Sequence, residues 1–122
     1  MTIKTLFKLT FATVLLTSCN NDSPDDLIDN IPLPETVTYE ANVKSIITNN
    51  CLSCHTAPPV NGAPMQLTTY EDVKNAVLNR GLLNRIARQN GEDGLMPNGG
   101  PRMPQQNIDI INQWATDGLP EQ

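Results

Sequence analysis

Apolar residues recur at helical spacing in four stretches of the chain, at positions 39–50, 70–80, 82–89 and 104–117. Residues three and four apart share one face of a helix, so each stretch predicts a helix with one buried side. The residues that form these faces are Val43, Ile46 and Ile47; Val73, Ala76 and Val77; Leu82, Leu83 and Ile86; and Ile108, Ile110, Ile111, Trp114 and Ala115. No alternating apolar run bounded by turns predicts a strand. We therefore expect an all-α fold.

Residues at the ends of these stretches support the assignment. Thr69 precedes an acidic first turn and is typical of an N-cap, and Gly81 follows the same stretch. Pro104 is expected in the first turn of the last helix, which Gly118 ends as its C-terminal cap. Together these signals predict three to four helices within residues 38–122.

The first 18 residues have the pattern of a secretory signal. Lys4 and Lys8 supply its positive charge, and the apolar stretch 9–16 is too short to span a bilayer. The signal ends in Leu16-Thr-Ser-Cys19, which resembles the lipobox of bacterial lipoproteins. We expect removal of residues 1–18 and lipidation of Cys19, so that several acyl chains hold the protein on a membrane outside the cytoplasm. The alternative is an ordinary secreted protein with a spare thiol.

Residues 19–37 connect this anchor to the rest of the chain. They contain three prolines and five acidic residues, which is typical of a solvated tether. An acidic stretch after the lipidated cysteine is similar to the surface-export signals of Bacteroidetes lipoproteins. The expected location is therefore the outer membrane, facing either the periplasm or the cell surface, with residues 38–122 as the folded domain.

Length and composition limit what this domain is able to do. The chain has 122 residues and a net charge of −5, which leaves room for one small domain and excludes a two-domain enzyme. Its acidity makes nucleic acid and anionic lipid surfaces poor partners. Outside the leader only Tyr39, Tyr70 and Trp114 are aromatic, so we expect the core to need a bound group for stability.

The motif Cys51-Leu-Ser-Cys54-His55 has the spacing of a c-type haem attachment site. Two thiols three residues apart at the end of a helix are able to bond to the two vinyl groups of one porphyrin, and the next residue then presents its imidazole to the iron. His55 is the only histidine of the chain. Three alternatives stay open for these residues: a disulfide between the two cysteines, a thioredoxin-like redox pair and a zinc site.

The second axial position of the iron requires another residue type, because the chain has no second histidine. Met65 is expected to form an apolar wall near His55. Met96 lies in a loop rich in Gly and Pro that is able to cross the haem. Met103 precedes Pro104 and is expected to pack where the last helix begins. We assign the distal position to Met96, with Met103 as the runner-up and an open sixth position as the remaining alternative.

Four segments resemble the successive sequence blocks of small monohaem class I cytochrome c domains of bacterial lipoproteins. They are Val43–His55, Leu67–Val73, Leu95-Met-Pro-Asn-Gly-Gly-Pro101 and Ile111–Gly118. The resemblance spans about residues 39–119 and implies a small fold of three to four helices wrapped around one covalently attached haem c. It also implies that Met96 is the distal iron ligand. The chain departs from the family pattern at Met103 and Pro104, where the family usually has Leu followed by Ser or Thr.

The motif and the resemblance predict one-electron transfer, with His55 and Met96 bound to the iron in both oxidation states. We expect an electron carrier rather than an enzyme, with redox proteins as partners and no small-molecule substrate or nucleic acid. Two alternatives stay open: a haem enzyme or gas or redox sensor with an open sixth site, and an accessory haem subunit of a larger membrane oxidoreductase.

Arg85, Arg88 and Arg102 either contact the haem propionates or are solvated. Arg102 flanks the ligand loop and is the strongest candidate for a propionate contact.

Overall fold

The structure, a computed structural model, describes residues 32–122. In this part of the chain a π-helical turn, Tyr39–Val43, runs directly into α1 (Lys44–Asn50), and three further helices follow: α2 (Tyr70–Asn79), α3 (Leu82–Ala87) and α4 (Gln105–Thr116). Residues 32–122 contain helices and no strand, in agreement with the predicted all-α fold. The leader, Cys19 and most of the tether lie outside the described residues. Among the helices described, none is long and apolar enough to cross a membrane.

The helix expected at 39–50 begins as a wider turn. Thr38 caps it, because its hydroxyl accepts from the backbone N–H of Ala41 at 3.3 Å. The N–H of Val43 donates to the Thr38 carbonyl at 3.3 Å, and the N–H of Lys44 donates to the carbonyl of Tyr39, again five residues back. Hydrophobic periodicity locates a buried face but does not distinguish five-residue from four-residue hydrogen bonding, so the sequence pattern could not predict this turn.

Two helix ends differ from the prediction. Pro104 is the N-cap of α4 rather than a first-turn residue, because its ψ of 140° is extended and the helix begins at the next residue. Helix α3 stops at Ala87, since Arg88 is extended as well, with φ −63° and ψ 153°. At the other end of α4, Gly118 adopts a left-handed conformation with φ +91° directly after the C-cap, which is where glycine ends a helix most readily.

Helix α4 is the centre of the packed core. It contacts the π-helical turn and α3, and its predicted buried face is confirmed, with Ile108, Ile111 and Trp114 at most 1% exposed. The ring centroid of Tyr39 lies 5.4 Å from that of Tyr70 and 5.9 Å from that of Trp114, and the latter two are 6.2 Å apart. Each ring comes from a different element, so this aromatic cluster ties the π-helical turn, α2 and α4 together.

The segment after α4 folds back over the start of the first helix. The Pro120 carbonyl accepts hydrogen bonds from the backbone N–H of Tyr39 at 3.0 Å and from the indole N–H of Trp114 at 2.8 Å. The Glu121 carbonyl accepts from the N–H of Glu40 at 3.0 Å. These bonds satisfy N–H groups at a helix start that have no partner within the helix itself.

The packed structure begins at Val37, the last residue of the predicted tether. Its side chain is fully buried, and its backbone N–H donates to Asp117 Oδ2 at 3.2 Å. Residues 32–36 are exposed. The folded part therefore starts one residue before the predicted boundary.

Helix α2 starts with a reciprocal capping box. The hydroxyl of Thr69, the predicted N-cap, accepts from the Asp72 N–H at 3.2 Å, and Asp72 Oδ2 accepts from the Thr69 N–H at 3.0 Å. Partial burial works against ionisation of Asp72, but hydrogen bonds from Thr69, Gln66 and Thr68 outweigh it and hold the pKa of the carboxyl below its ordinary value of 3.8. This stabilisation is complete above the unfolded-state pKa and is lost as the pH falls through the lower folded-state pKa.

Replacing Thr69 with alanine is expected to lower the free energy of unfolding by about 1 kcal/mol, because the N–H of Asp72 loses its partner. Urea titration followed by circular dichroism measures the change. Thr48→Ala is the matched control: the Thr48 hydroxyl donates to the Lys44 carbonyl within α1 at 2.8 Å, so its removal leaves no N–H at a helix start unpaired. Equal losses in the two variants would show that the cap does not stabilise α2.

Candidate functional site

The three chemically active residues of the 51–55 motif lie on one turn directly after α1. Cys51 is the C-cap of α1, and its N–H donates to the Ile47 carbonyl at 2.8 Å. The N–H groups of Cys54 and His55 both donate to the Cys51 carbonyl, at 3.2 and 3.0 Å. Because these bonds close a single turn, α1 holds both thiols and the imidazole in one small region, and all three residues line the same cavity.

His55 is oriented by a hydrogen bond to the backbone. The residue is 8% exposed, and its Nδ1 lies 2.7 Å from the carbonyl oxygen of Met65. A carbonyl only accepts, so Nδ1 is the donor, and in the neutral imidazole the lone pair is then on Nε2. No group of residues 32–122 hydrogen-bonds to Nε2, and every fully buried polar side-chain atom in this range has a partner. Nε2 is therefore not fully buried, and His55 is one of the residues that line the cavity.

The loop between His55 and Leu67 carries the carbonyl that orients the imidazole. The N–H of Val60 donates to the Cys54 carbonyl and the N–H of Leu67 to the His55 carbonyl, both at 2.9 Å, so the loop is tied back to the motif. Met65 is half-buried and its side chain lines the cavity, as expected for an apolar wall. Met65 also supplies the carbonyl that orients His55. The sequence could not predict this contact, because it is made by a backbone atom and not by the side chain.

The cysteines of the motif are both free thiols, so the disulfide considered for Cys51 and Cys54 is not formed. Burial raises the pKa of the Cys51 thiol to about 11. This thiol is protonated at neutral pH, whereas a thioredoxin-like pair depends on a thiol whose pKa is lowered. Within residues 32–122 no three His, Cys, Asp or Glu side chains are grouped to hold a metal ion, so a zinc site has no complete set of ligands there.

Met96 reaches the cavity on the loop between α3 and α4. Its N–H donates to the Arg85 carbonyl near the end of α3 at 3.1 Å, and the neighbouring Leu95 is buried. Gly94 has φ +76°, a left-handed backbone conformation that side-chain-bearing residues rarely adopt. Glycine therefore allows the loop to turn here without strain before Met96.

The cavity has a volume of about 460 Å³, within the range of pockets that enclose cofactors and small ligands. Its apolar lining includes Met65, Leu67, Leu82, Ile86 and Met96. Met103 is not among the lining residues, because it is 3% exposed and packs in the main core. The structure thus brings Met96 to the same cavity as the motif and does not bring Met103 there.

Of the three arginines that the sequence singled out, only Arg85 lines the cavity. Arg102 lies outside it, where its Nε donates to the Arg88 carbonyl at 3.1 Å and its Nη2 to Gln105 Oε1 at 2.7 Å. Arg88 does not line the cavity, whereas Arg80 and Arg85 do. Sequence reasoning missed Arg80. The signal that could have indicated it is its position directly before the glycine at which α2 breaks.

The site therefore combines two neighbouring thiols, an imidazole whose Nε2 is not fully buried and a thioether in one largely apolar cavity. No family model, no curated protein and no solved structure matches the chain. The functional conclusion consequently depends on the residues of this site and on the sequence.

Proposed function

We propose that residues 38–122 form a monohaem c-type cytochrome domain that transfers single electrons. Cys51 and Cys54 hold the porphyrin through thioether bonds, and His55 and Met96 bind its iron. The observation that carries the proposal is the hydrogen bond between His55 Nδ1 and the Met65 carbonyl. It selects the tautomer that leaves Nε2 as a metal ligand, in the same cavity as both thiols.

The residues of the cavity fit such a group. Apolar side chains form much of the lining and suit the flat hydrocarbon ring of a porphyrin, while the two thiols lie one turn apart next to the imidazole. Bound haem supplies reversible one-electron oxidation and reduction of its iron. The sequence also provides the expected export signal, which places the chain where c-type haem is attached.

Each residue of the site has a separate task in this proposal. The Met65 carbonyl prevents rotation of the His55 ring and raises its basicity as a ligand. The hydrogen bond from the Met96 N–H to the Arg85 carbonyl holds the distal loop on α3. Methionine sulfur is a soft neutral ligand that favours the reduced form, and an apolar lining that excludes water acts in the same direction. We therefore expect a raised reduction potential.

The membrane anchor belongs to the same proposal and is supported by the sequence alone. A lipid on Cys19 holds the protein at the outer membrane, facing the periplasm or the cell surface. The tether of residues 19–37 gives the domain reach toward redox partner proteins. Service as an accessory haem subunit of a larger membrane oxidoreductase is compatible with this arrangement.

The test is the visible spectrum of the full chain, exported in a host that matures c-type cytochromes. We expect haem that stays attached on a denaturing gel, a c-type reduced spectrum and the weak far-red band of ferric iron bound to methionine sulfur. In Met96→Leu we expect the far-red band to disappear and carbon monoxide or cyanide to bind readily. Leucine keeps the side-chain volume and removes the sulfur.

Met103→Leu is the matched control and is expected to keep the far-red band, because Met103 packs in the core outside the cavity. The reverse pattern would transfer the distal role to Met103. A wild-type spectrum without the band, which shifts on addition of carbon monoxide, would favour the enzyme or sensor with an open sixth site. Wild-type protein without covalent haem would contradict the proposed function itself.

A further inference from the structure

Two arginines give the cavity a positive charge. Arg80 and Arg85 line it, whereas none of its lining residues is an aspartate or a glutamate. Arg80 is the C-cap of α2 and Arg85 lies in the last turn of α3. Gly81, with φ +69°, turns the chain from one helix into the next, so the two arginines line the cavity from different helices. The cavity is thus cationic although the net charge of the chain is −5.

Within residues 32–122 neither of these arginines has a carboxylate partner. The one ion pair found in this range joins Lys44 to Glu40. Arg80 donates no side-chain hydrogen bond to any described residue, and Arg85 donates one, from Nη1 to the Gly94 carbonyl at 3.3 Å. A guanidinium group has five N–H donors, so most donors of both side chains are available to a ligand.

The two other arginines, Arg88 and Arg102, differ because their side-chain donors have hydrogen-bond partners within the protein. Arg88 lies outside the cavity and donates to the Asp93 carbonyl and, at 2.9 Å, to Asn84 Oδ1. Arg102 donates to the Arg88 carbonyl and to Gln105, as described above. These two side chains hold the loop between α3 and α4 in place. Among the four arginines of the described residues, those at the cavity are the two whose donors are largely free.

We propose that Arg80 and Arg85 bind the two propionate carboxylates of the haem, an inference that rests on the proposed function. Haem joins a large apolar ring to two carboxylates, and the cavity joins an apolar lining to two guanidinium groups with free donors. Guanidinium matches carboxylate in charge and in paired hydrogen-bond geometry. The pairing sets the orientation of the ring and neutralises negative charge that otherwise favours oxidised iron.

The test compares haem-loaded, full-length wild type with Arg80→Gln, Arg85→Gln and the double variant. In the low-frequency resonance Raman spectrum we expect the propionate bending bands to shift in each single variant and furthest in the double variant. The midpoint potential is expected to fall in the same order, because an unpaired carboxylate favours oxidised iron. Lys74→Gln is the control, since it removes one positive charge from a residue that does not line the cavity, and it is expected to keep the wild-type bands.

The outcomes separate this inference from the proposed function. Haem-loaded double variant with wild-type propionate bands would overturn the inference alone, and so would an equal shift in Lys74→Gln. If the double variant does not fold, the single variants decide the question, because each changes an exposed side chain. Wild-type protein that carries no covalent haem would overturn the proposed function and this inference with it.

Discussion

Substitution of both Cys51 and Cys54 by alanine is expected to remove covalently bound haem completely. No thioether bond forms, so the porphyrin is held only by its iron ligands and by apolar contacts. A cavity of about 460 Å³ that loses its occupant leaves the surrounding side chains without packing partners. We also expect a large loss of folded protein, because a small domain with three aromatic residues depends on a bound group to complete its core.

Haem staining of the denatured, exported protein measures the first effect, and thermal unfolding followed by circular dichroism measures the second. Ser45→Ala is the control: it changes an exposed serine of α1 that does not line the cavity and is expected to keep both haem and fold. Either single cysteine variant is expected to retain one thioether and to move the reduced absorption band to longer wavelength. A haem-stained band from the double variant would contradict the role assigned to the two thiols.

Trp114→Ala is expected to lower the free energy of unfolding by about 3–5 kcal/mol. That is a large part of the roughly 5–15 kcal/mol that stabilises a typical domain. The Trp114 side chain is fully buried and contacts the rings of Tyr39 and Tyr70. Its truncation leaves a void where the π-helical turn, α2 and α4 meet. Urea titration of the exported protein, followed by far-ultraviolet circular dichroism, measures the loss.

The Trp114→Phe variant distinguishes the contribution of the aromatic ring to stability from that of the indole hydrogen bond. Phenylalanine keeps an aromatic ring in the cluster but lacks the indole N–H that donates to the Pro120 carbonyl. That carbonyl still accepts from the Tyr39 N–H, so no acceptor is left unpaired, and we expect a loss on the order of 1–2 kcal/mol. An alanine variant as stable as the phenylalanine variant would show that the aromatic cluster does not hold the three elements together.

The positions of the helices could be predicted because their signals are local. Ile46 and Ile47 on α1, or Ile108 and Ile111 on α4, recur at helical spacing and are buried as that spacing indicates. The π-helical turn could not be predicted, since its hydrogen bonds differ from those of an α-helix by one residue without any change in the apolar pattern. The sequence predicts Pro104 in the first turn because proline is most common at the first helical position, whereas the structure has it one residue earlier, at the N-cap.

For the candidate site, too, the features with local sequence signals could be predicted and those that depend on the fold could not. The residues at 51–55 are neighbours in sequence, so their spacing alone predicted that two thiols and an imidazole share one turn. The choice between Met96 and Met103 depends on which side chain the fold carries to the cavity, and only the hydrogen bond from Met96 to α3 and the burial of Met103 separate them. Arg80 gave no periodic or motif signal, because its place at the cavity results from the packing of α2 beside α3.

The hydrogen bonds of Pro120 and Glu121 to the start of the folded part impose an order on its assembly. In the exported chain proposed above, the N-terminal end crosses the membrane first, so Tyr39 and Glu40 lack their carbonyl partners until Pro120 and Glu121 have followed. During that interval the turn at 51–55 belongs to an unfinished fold and is accessible to an enzyme that attaches haem. The direction of export proposed for the chain would therefore leave an interval for haem attachment before the two ends of the domain close on each other.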